Sequence, residues 1–373
     1  MSTITPSSLP HAFSEEDEIK DLTTALNDLG EQLVLEASDN CRVLPHILHL
    51  IGKGGEHLVF KDIRFPNYVF KIDFINSLNV LYAYAKNQDK VVEAIEKLYV
   101  KAESYNNRLH RLYKYFDPGS VPLEIASIKT VPLNKELVLS IMKDRHIDIP
   151  KKIVVPPSMP VLSSIQRKIV LPVNKFSLYS SYAELNRTIS LDSYIEGHNL
   201  LAFGEGIGSQ NQQIRQDIIL KIYPSLKKIS DLIQEDHQFK ILLGRLIQKT
   251  IKYSVQYNEL IDMVGGGNVL FFKAKNQTWK YFLMDVLSPP EVNFNLIQTI
   301  ALLVKHDQKV SLKMKANVLN VINYIRFSNA LAILTGIKER IHVSNIQDLT
   351  AKQWHENLII EKYLDIYTPK KKK

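Results

Sequence analysis

The sequence predicts an α+β protein of two lobes, a β-rich N-terminal lobe holding one long helix and a mainly helical C-terminal lobe holding one hairpin. Three observations carry that prediction. Short β-rich runs separated by turn residues fill positions 46–73. An apolar stripe at helical spacing then runs unbroken from Val91 to Leu112. Beyond Asn199 the pattern is helical, except for two apolar runs around a polar turn between Asn268 and Asp285. The implied division is a helical extension over 1–44, the β-rich lobe and its connector over 45–198, and the helical lobe over 199–373.

Composition bounds the function. With 373 residues, 45% of them hydrophobic, the chain can bury a large core. The formal charge of +8 favours acidic partners such as nucleotides or anionic surfaces. A nucleic-acid reading rests on that charge alone, since no aromatic–basic motif accompanies it. Lys370–Lys373 reads as a solvated tail. Cys41 is the single cysteine, so an intrachain disulfide and a thiolate zinc site are excluded and a reducing compartment is expected. No basic start followed by an apolar run marks a signal peptide, and no apolar stretch approaches the ~20 residues of a membrane span. The expectation is a soluble, cytoplasmic protein. The eleven histidines show no zinc-ligand spacing, and no Gly-x-Ser-x-Gly elbow is present.

The elements follow in order. Ser14 is a candidate N-cap, with Glu15, Glu16 and Asp17 in the first turn and Leu22, Leu26, Leu29 and Leu33 on one face. His46–Ile51, Glu56–Ile63 and Asn67–Asp73 read as strands, separated by Lys53-Gly54-Gly55 and Arg64-Phe65-Pro66. A helix follows over Asp89–Tyr115, ended by Asp117-Pro118-Gly119. Prolines across 120–180 forbid long helices there, which leaves strands and irregular connections. Gln212–Glu235 and Phe239–Gln256 are helical, Val269–Phe272 and Trp279–Met284 form a hairpin, and 295–365 is helical again.

Three segments carry chemistry. In Ile51-Gly52-Lys53-Gly54-Gly55 the glycines stand at a strand-to-strand turn, where backbone N–H groups can approach a phosphate. Strands on both sides separate this turn from Walker A and Rossmann loops, which open a helix. Lys71 stands inside the apolar run Tyr68–Asp73, and lysine is rarely buried unless paired. Asn268 opens the hairpin and Asp285 closes it, two oxygen ligands suited to a hard cation such as Mg2+.

Together these segments resemble the protein-kinase-like superfamily, closer to its atypical bacterial branches and the aminoglycoside and choline phosphotransferases than to eukaryotic protein kinases. The resemblance spans about 46–290 and implies a two-lobed kinase-like fold that binds ATP and Mg2+. It implies that Gly52, Gly54, Gly55 and Val59 cover the nucleotide and that Lys71 holds its phosphates. A glutamate of the long helix would pair with Lys71; Glu93, Glu96 and Glu103 are available, and Glu103, beside the apolar stripe, is favoured. Glu196, within Ser193–Leu200, is similar to the adenine-binding hinge. Asn268 and Asp285 would hold the metal. The sequence departs from the family at the base, for no His-Arg-Asp or His-Gly-Asp precedes Asn268. Asp262, one position further from Asn268 than the family spacing, is the candidate, with Glu259 a second. Asp285 is followed by Val286-Leu287-Ser288, and no Ala-Pro-Glu segment follows. The expected function is phosphoryl transfer to a hydroxyl of a protein or small molecule. The alternative is a pseudokinase that binds nucleotide or a protein partner without catalysis.

Overall fold

The computed structural model describes residues 15–29, 34–36, 47–53, 57–73, 77, 79–81, 83–84, 90–132, 157–169, 172, 174–180, 212–288, 292–306 and 308–341. Ser14, Leu33, Cys41, Gly54, Gly55, Glu196 and the terminal lysines lie outside them. The chain divides into two compact units, one of Met1–Lys114 with Pro122–Val170 and one of Tyr115–Val121 with Leu171–Lys373.

The first unit is a sheet covered by helices. Its strands are β1 (Val34–Glu36), β2 (Ile47–Lys53), β3 (His57–Lys61), β4 (Tyr68–Asp73), β5 (Glu124–Pro132) and β6 (Ser158–Arg167). They are ordered β1-β2-β3-β4-β6-β5, antiparallel throughout except that β1 runs parallel to β2. The turn between β3 and β4 is tied by Asp62, whose carboxylate accepts from the Arg64 backbone N–H at 2.8 Å and from its guanidinium. Successive side chains of a strand point to opposite faces. One face carries Leu58, Phe60, Phe70, Ile72 and Ile165, buried against Leu22, Ala25 and Leu26 of α1 (Glu15–Asp28). Each buried leucine contributes on the order of 2 kcal/mol. Lys129 of β5 adds a hydrogen bond of 2.9 Å to the Leu26 carbonyl near the helix's end, where a cation complements the dipole. The N-terminal helix is therefore part of this core.

The opposite face packs Ala126 and Leu162 against Leu98 and Ala102 of α2 (Val91–Tyr115). The helix also closes the edge strand. Asn106 donates to the Ala126 carbonyl at 2.9 Å and accepts from its N–H at 2.8 Å, and the Tyr113 hydroxyl serves both backbone groups of Glu124. Side chains thus satisfy backbone groups that an uncovered edge would leave for another strand.

The second unit joins helices to a three-stranded antiparallel sheet, β7 (Lys175–Leu178), β8 (Val269–Lys273) and β9 (Trp279–Leu283), in that order. Its helices are α3 (Gln212–Ile222), α4 (Lys227–Glu235), α5 (His237–Tyr257), α6 (Phe294–Lys305) and α7 (Leu312–Thr335). The helical run expected over Gln212–Glu235 is two helices, because Pro224 opens a short 3-10 turn between them. Asp236 caps α5, accepting from the Gln238 and Phe239 N–H groups, and also accepts from the Trp279 indole at 2.7 Å. That indole bond and the cap hold its carboxyl down at about 2. Phe176, Phe239, Phe271 and Trp279 form one aromatic cluster between β7, β8, β9 and α5. From Val321 to Thr335 every residue of α7 except the half-buried Tyr324 is buried, the signature of a central helix. Among the described residues no helix is long and apolar enough to cross a membrane.

Candidate functional site

Within the first unit, the strand registers place Gly52, Val59 and Lys71 in one row. Gly52 pairs with Val59, Val59 with Lys71, Lys71 with Ser164, and Ser164 with Ala126. Paired residues project to the same face, so four strands beside Gly52 present this row together. The register shifts between Leu50 and Gly52, a bulge that suits glycine. On β3, Leu58 and Phe60 are buried on the α1 face, while His57 and Val59 of the Lys71 face are half-buried. Part of the row therefore remains accessible.

Lys71 is buried, and its ammonium donates to Glu124 Oε2 at 2.9 Å. The helix glutamate expected for this role is corrected here: Glu103 is exposed on α2, and the carboxylate bonded to Lys71 belongs to β5. The register explains the pairing. Glu124 stands two residues before Ala126 on the same face, so its side chain reaches diagonally past β6 to Lys71. The other carboxylate oxygen, Oε1, accepts from the Ser164 hydroxyl and from Tyr105 at 3.3 Å. Burial alone would raise this carboxyl, but the Lys71 charge, the Ser164 bond and the more distant His57 outweigh it and hold it below its ordinary value. Sequence reading missed Glu124 because nothing local distinguishes it. It lies 53 residues from Lys71.

The second unit gathers Asp262, Asn268 and Asp285. Ile261 bridges to Leu287, the Asp262 N–H donates to the Val286 carbonyl at 2.9 Å, and the Met284 N–H donates to the Asn268 carbonyl at 2.8 Å. The loop carrying Asp262 and the segment carrying Asp285 are thus fastened at both ends. Asp262 is wrapped by donors: its Oδ1 accepts from Val264 N–H at 2.9 Å and Gly265 N–H at 3.3 Å, and its Oδ2 from the Tyr324 hydroxyl at 3.1 Å. Burial is the largest influence and raises the carboxyl above its ordinary value; these bonds oppose the rise, and nearby Asp285 adds to it. Glu259, the second candidate base, accepts instead from Tyr253 at 2.7 Å.

Asn268 donates through Nδ2 to the Asp262 carbonyl at 3.1 Å, which orients the amide and leaves Oδ1 as its acceptor. The glycines before it have separate reasons. A Cβ at Gly265 would stand 2.6 Å from Asn268 Nδ2, and Gly267 has φ +99°, a conformation that favours glycine. The Gly267 N–H donates to Ser177 Oγ at 2.8 Å, which ties the loop to β7.

These residues fit a hard divalent cation. Asn268 Oδ1 and the exposed Asp285 carboxylate are oxygen donors, and the mutual repulsion of Asp262 and Asp285 is one a cation relieves. Among the described residues no three His, Cys, Asp or Glu side chains form a metal-binding group. Gly54, Gly55 and Glu196, expected to contact the nucleotide, lie outside the described residues. No family model, curated protein or solved structure matches the chain.

Proposed function

We propose that this protein is an ATP- and Mg2+-dependent phosphotransferase of the protein-kinase-like kind, moving a phosphoryl group to a hydroxyl of a protein or small molecule. One observation carries the reading. A buried lysine, ion-paired at 2.9 Å, stands in one row with the glycine of the strand-to-strand turn on a partly accessible face of the sheet. An ammonium so held is a fixed counter-charge for phosphate. The gathering of Asp262, Asn268 and Asp285 supports the same reading. In it, Lys71 positions the nucleotide phosphates, with Gly52 in the same row of the sheet. Asn268 and Asp285 hold Mg2+, which neutralises phosphate charge when bound. Asp262 accepts the proton of the acceptor hydroxyl, and burial makes its carboxylate a better base than an exposed one. Positioning and charge neutralisation supply the catalysis.

Thermal unfolding with ATP, with and without Mg2+, tests the reading. At a hundred times its dissociation constant, a nucleotide stabilises by about 2.7 kcal/mol, which raises Tm by ~5–10 °C in a unit of this size. Absence of any shift under all metal conditions refutes the proposal. Asp262→Ala should keep the shift and lose transfer. Binding by the wild type without transfer or hydrolysis identifies a nucleotide-binding pseudokinase instead.

A further inference from the structure

We infer that Glu124 is the positioning residue for Lys71, and that the sheet, not the helix packed on it, keeps this phosphate-binding lysine in place. The inference rests on the nucleotide reading of Lys71 and adds to it where the control of that lysine lies.

Both members of the pair stand on strands of one hydrogen-bonded sheet, β4 and β5, with β6 between them. Their separation is therefore set by two continuous strand ladders. The Glu124 backbone is fixed again by the Tyr113 hydroxyl, and Ala126, two residues on, by Asn106. The carboxylate has named donors on both oxygens: Lys71 on Oε2, Ser164 and Tyr105 on Oε1. Its side chain is 2% exposed and that of Lys71 11%, so water competes little for the pair. Of the donors to the carboxylate itself only Tyr105 comes from α2, and its bond is long, at 3.3 Å; Tyr113 and Asn106, also of α2, hold the backbone of β5 and not the carboxylate. A carboxylate supplied by α2 would move with any rotation or outward shift of the helix. One supplied by β5 is tied to Lys71 through the β4–β6 and β6–β5 ladders as well. Glu124 is not placed to touch the phosphates; it acts through Lys71, holding the ammonium in one direction.

Affinity for Mg·ADP, measured by calorimetry in a double-mutant cycle, tests this. Glu124→Gln and Lys71→Met should each weaken binding about tenfold, and the double variant should bind within about twofold of Lys71→Met alone, because contacting residues that act as a unit are not additive. Glu124→Asp should recover part of the loss. Tyr105→Phe should cost less than about threefold. Should Glu124→Gln fail to fold, Ser164→Ala keeps the carboxylate while loosening it; it should weaken binding measurably in the wild-type background and not in Lys71→Met. Additive losses at Glu124 or Ser164 would make the effect merely structural and overturn the inference while leaving the nucleotide reading intact. A loss from Tyr105→Phe as large as that from Glu124→Gln would return control to the helix. So would non-additivity found with Glu103→Gln in place of Glu124→Gln. A wild type that binds no nucleotide removes the underlying reading and the inference together.

Discussion

Gly265→Ala separates the placement of Asn268 from the stability of the unit that carries it. The added Cβ would stand 2.6 Å from Asn268 Nδ2 and 2.8 Å from both Cγ and Oδ1. No other atom is among those nearest contacts, and Gly265 is not in the positive-φ region. The three atoms nearest the methyl group thus all belong to the Asn268 side chain. Asn268 must turn away, which breaks its bond to the Asp262 carbonyl, worth ~1 kcal/mol. Replacing glycine with alanine at a compatible backbone restores ~0.4–1 kcal/mol by restricting the unfolded chain. The two effects nearly cancel, so Tm should stay within about 3 °C of the wild type. Ligand placement has no such compensation. On the proposed reading, the Mg2+-dependent part of nucleotide affinity should fall ~10- to 100-fold, the loss typical when a ligand's support is removed. Calorimetric titration with ATP at fixed Mg2+, beside the same titration in EDTA, reads the difference. Gly265→Ala and Asn268→Ala should lose the same increment, and combining them should add nothing. Unchanged Mg2+-dependent affinity in Gly265→Ala would refute the reasoning, as would a fall in stability beyond about 3 kcal/mol.

Glu124→Ala strands the Lys71 ammonium in a buried site and should cost ~3–5 kcal/mol in urea unfolding of the first unit, the range for breaking a buried pair from one side; a cost under about 1 kcal/mol would mean the pair is not held as described. The same group sets an acid limit. Its folded carboxyl lies below the ordinary 4.5, so the unfolded chain binds the proton more readily; the stability it contributes is present above that value and lost as pH falls through the lowered one. Urea midpoints of the wild type should therefore drop as pH falls below about 4.5, and Glu124→Gln should show a shallower drop. Asp236→Ala removes the cap of α5 and the partner of the Trp279 indole, so it should cost ~2 kcal/mol and change the fluorescence of Trp279 in the folded state.

Much of the local structure was legible because it follows from periodicity and turn chemistry. The strand runs ending at Asp73, the helix ending at Tyr115 and the hairpin beginning at Val269 lie within two residues of their expected bounds at those ends. These are features that a window of neighbouring residues can fix. Pro224, in full view, divides a helical run that apolar spacing alone joined. The partner of Lys71 was not legible for a different reason. Its position depends on which strand lies between β4 and β5, and strand order is a property of the folded sheet. Expecting a helix glutamate followed from the family pattern, and the register of β5 overrides it. The environment of Asp262 was half legible. Its place before a glycine run was visible, but the Tyr324 hydroxyl comes from a helix 62 residues further along the chain.

Solvent access sorts the candidate residues into roles. Glu124 and Asp262 are carboxylates whose oxygens the protein itself supplies with donors from backbone, hydroxyl or ammonium groups. Such groups are costly to desolvate, and the buried Glu124 and half-buried Asp262 keep their places because those bonds replace water. Neither is suited to bind a hydrated cation, since doing so would forfeit those bonds. Asp285 is exposed and Asn268 half-buried, with the amide oxygen turned away from the bond that orients it. A Mg2+ ion that retains part of its water shell needs donors of this open kind. On the proposed reading, the closed carboxylates therefore position and exchange a proton while the open pair takes the metal. The same division explains why substitution at Glu124 should appear both in stability and through Lys71. Substitution at the exposed Asp285 should appear in Mg2+-dependent binding with the fold unchanged.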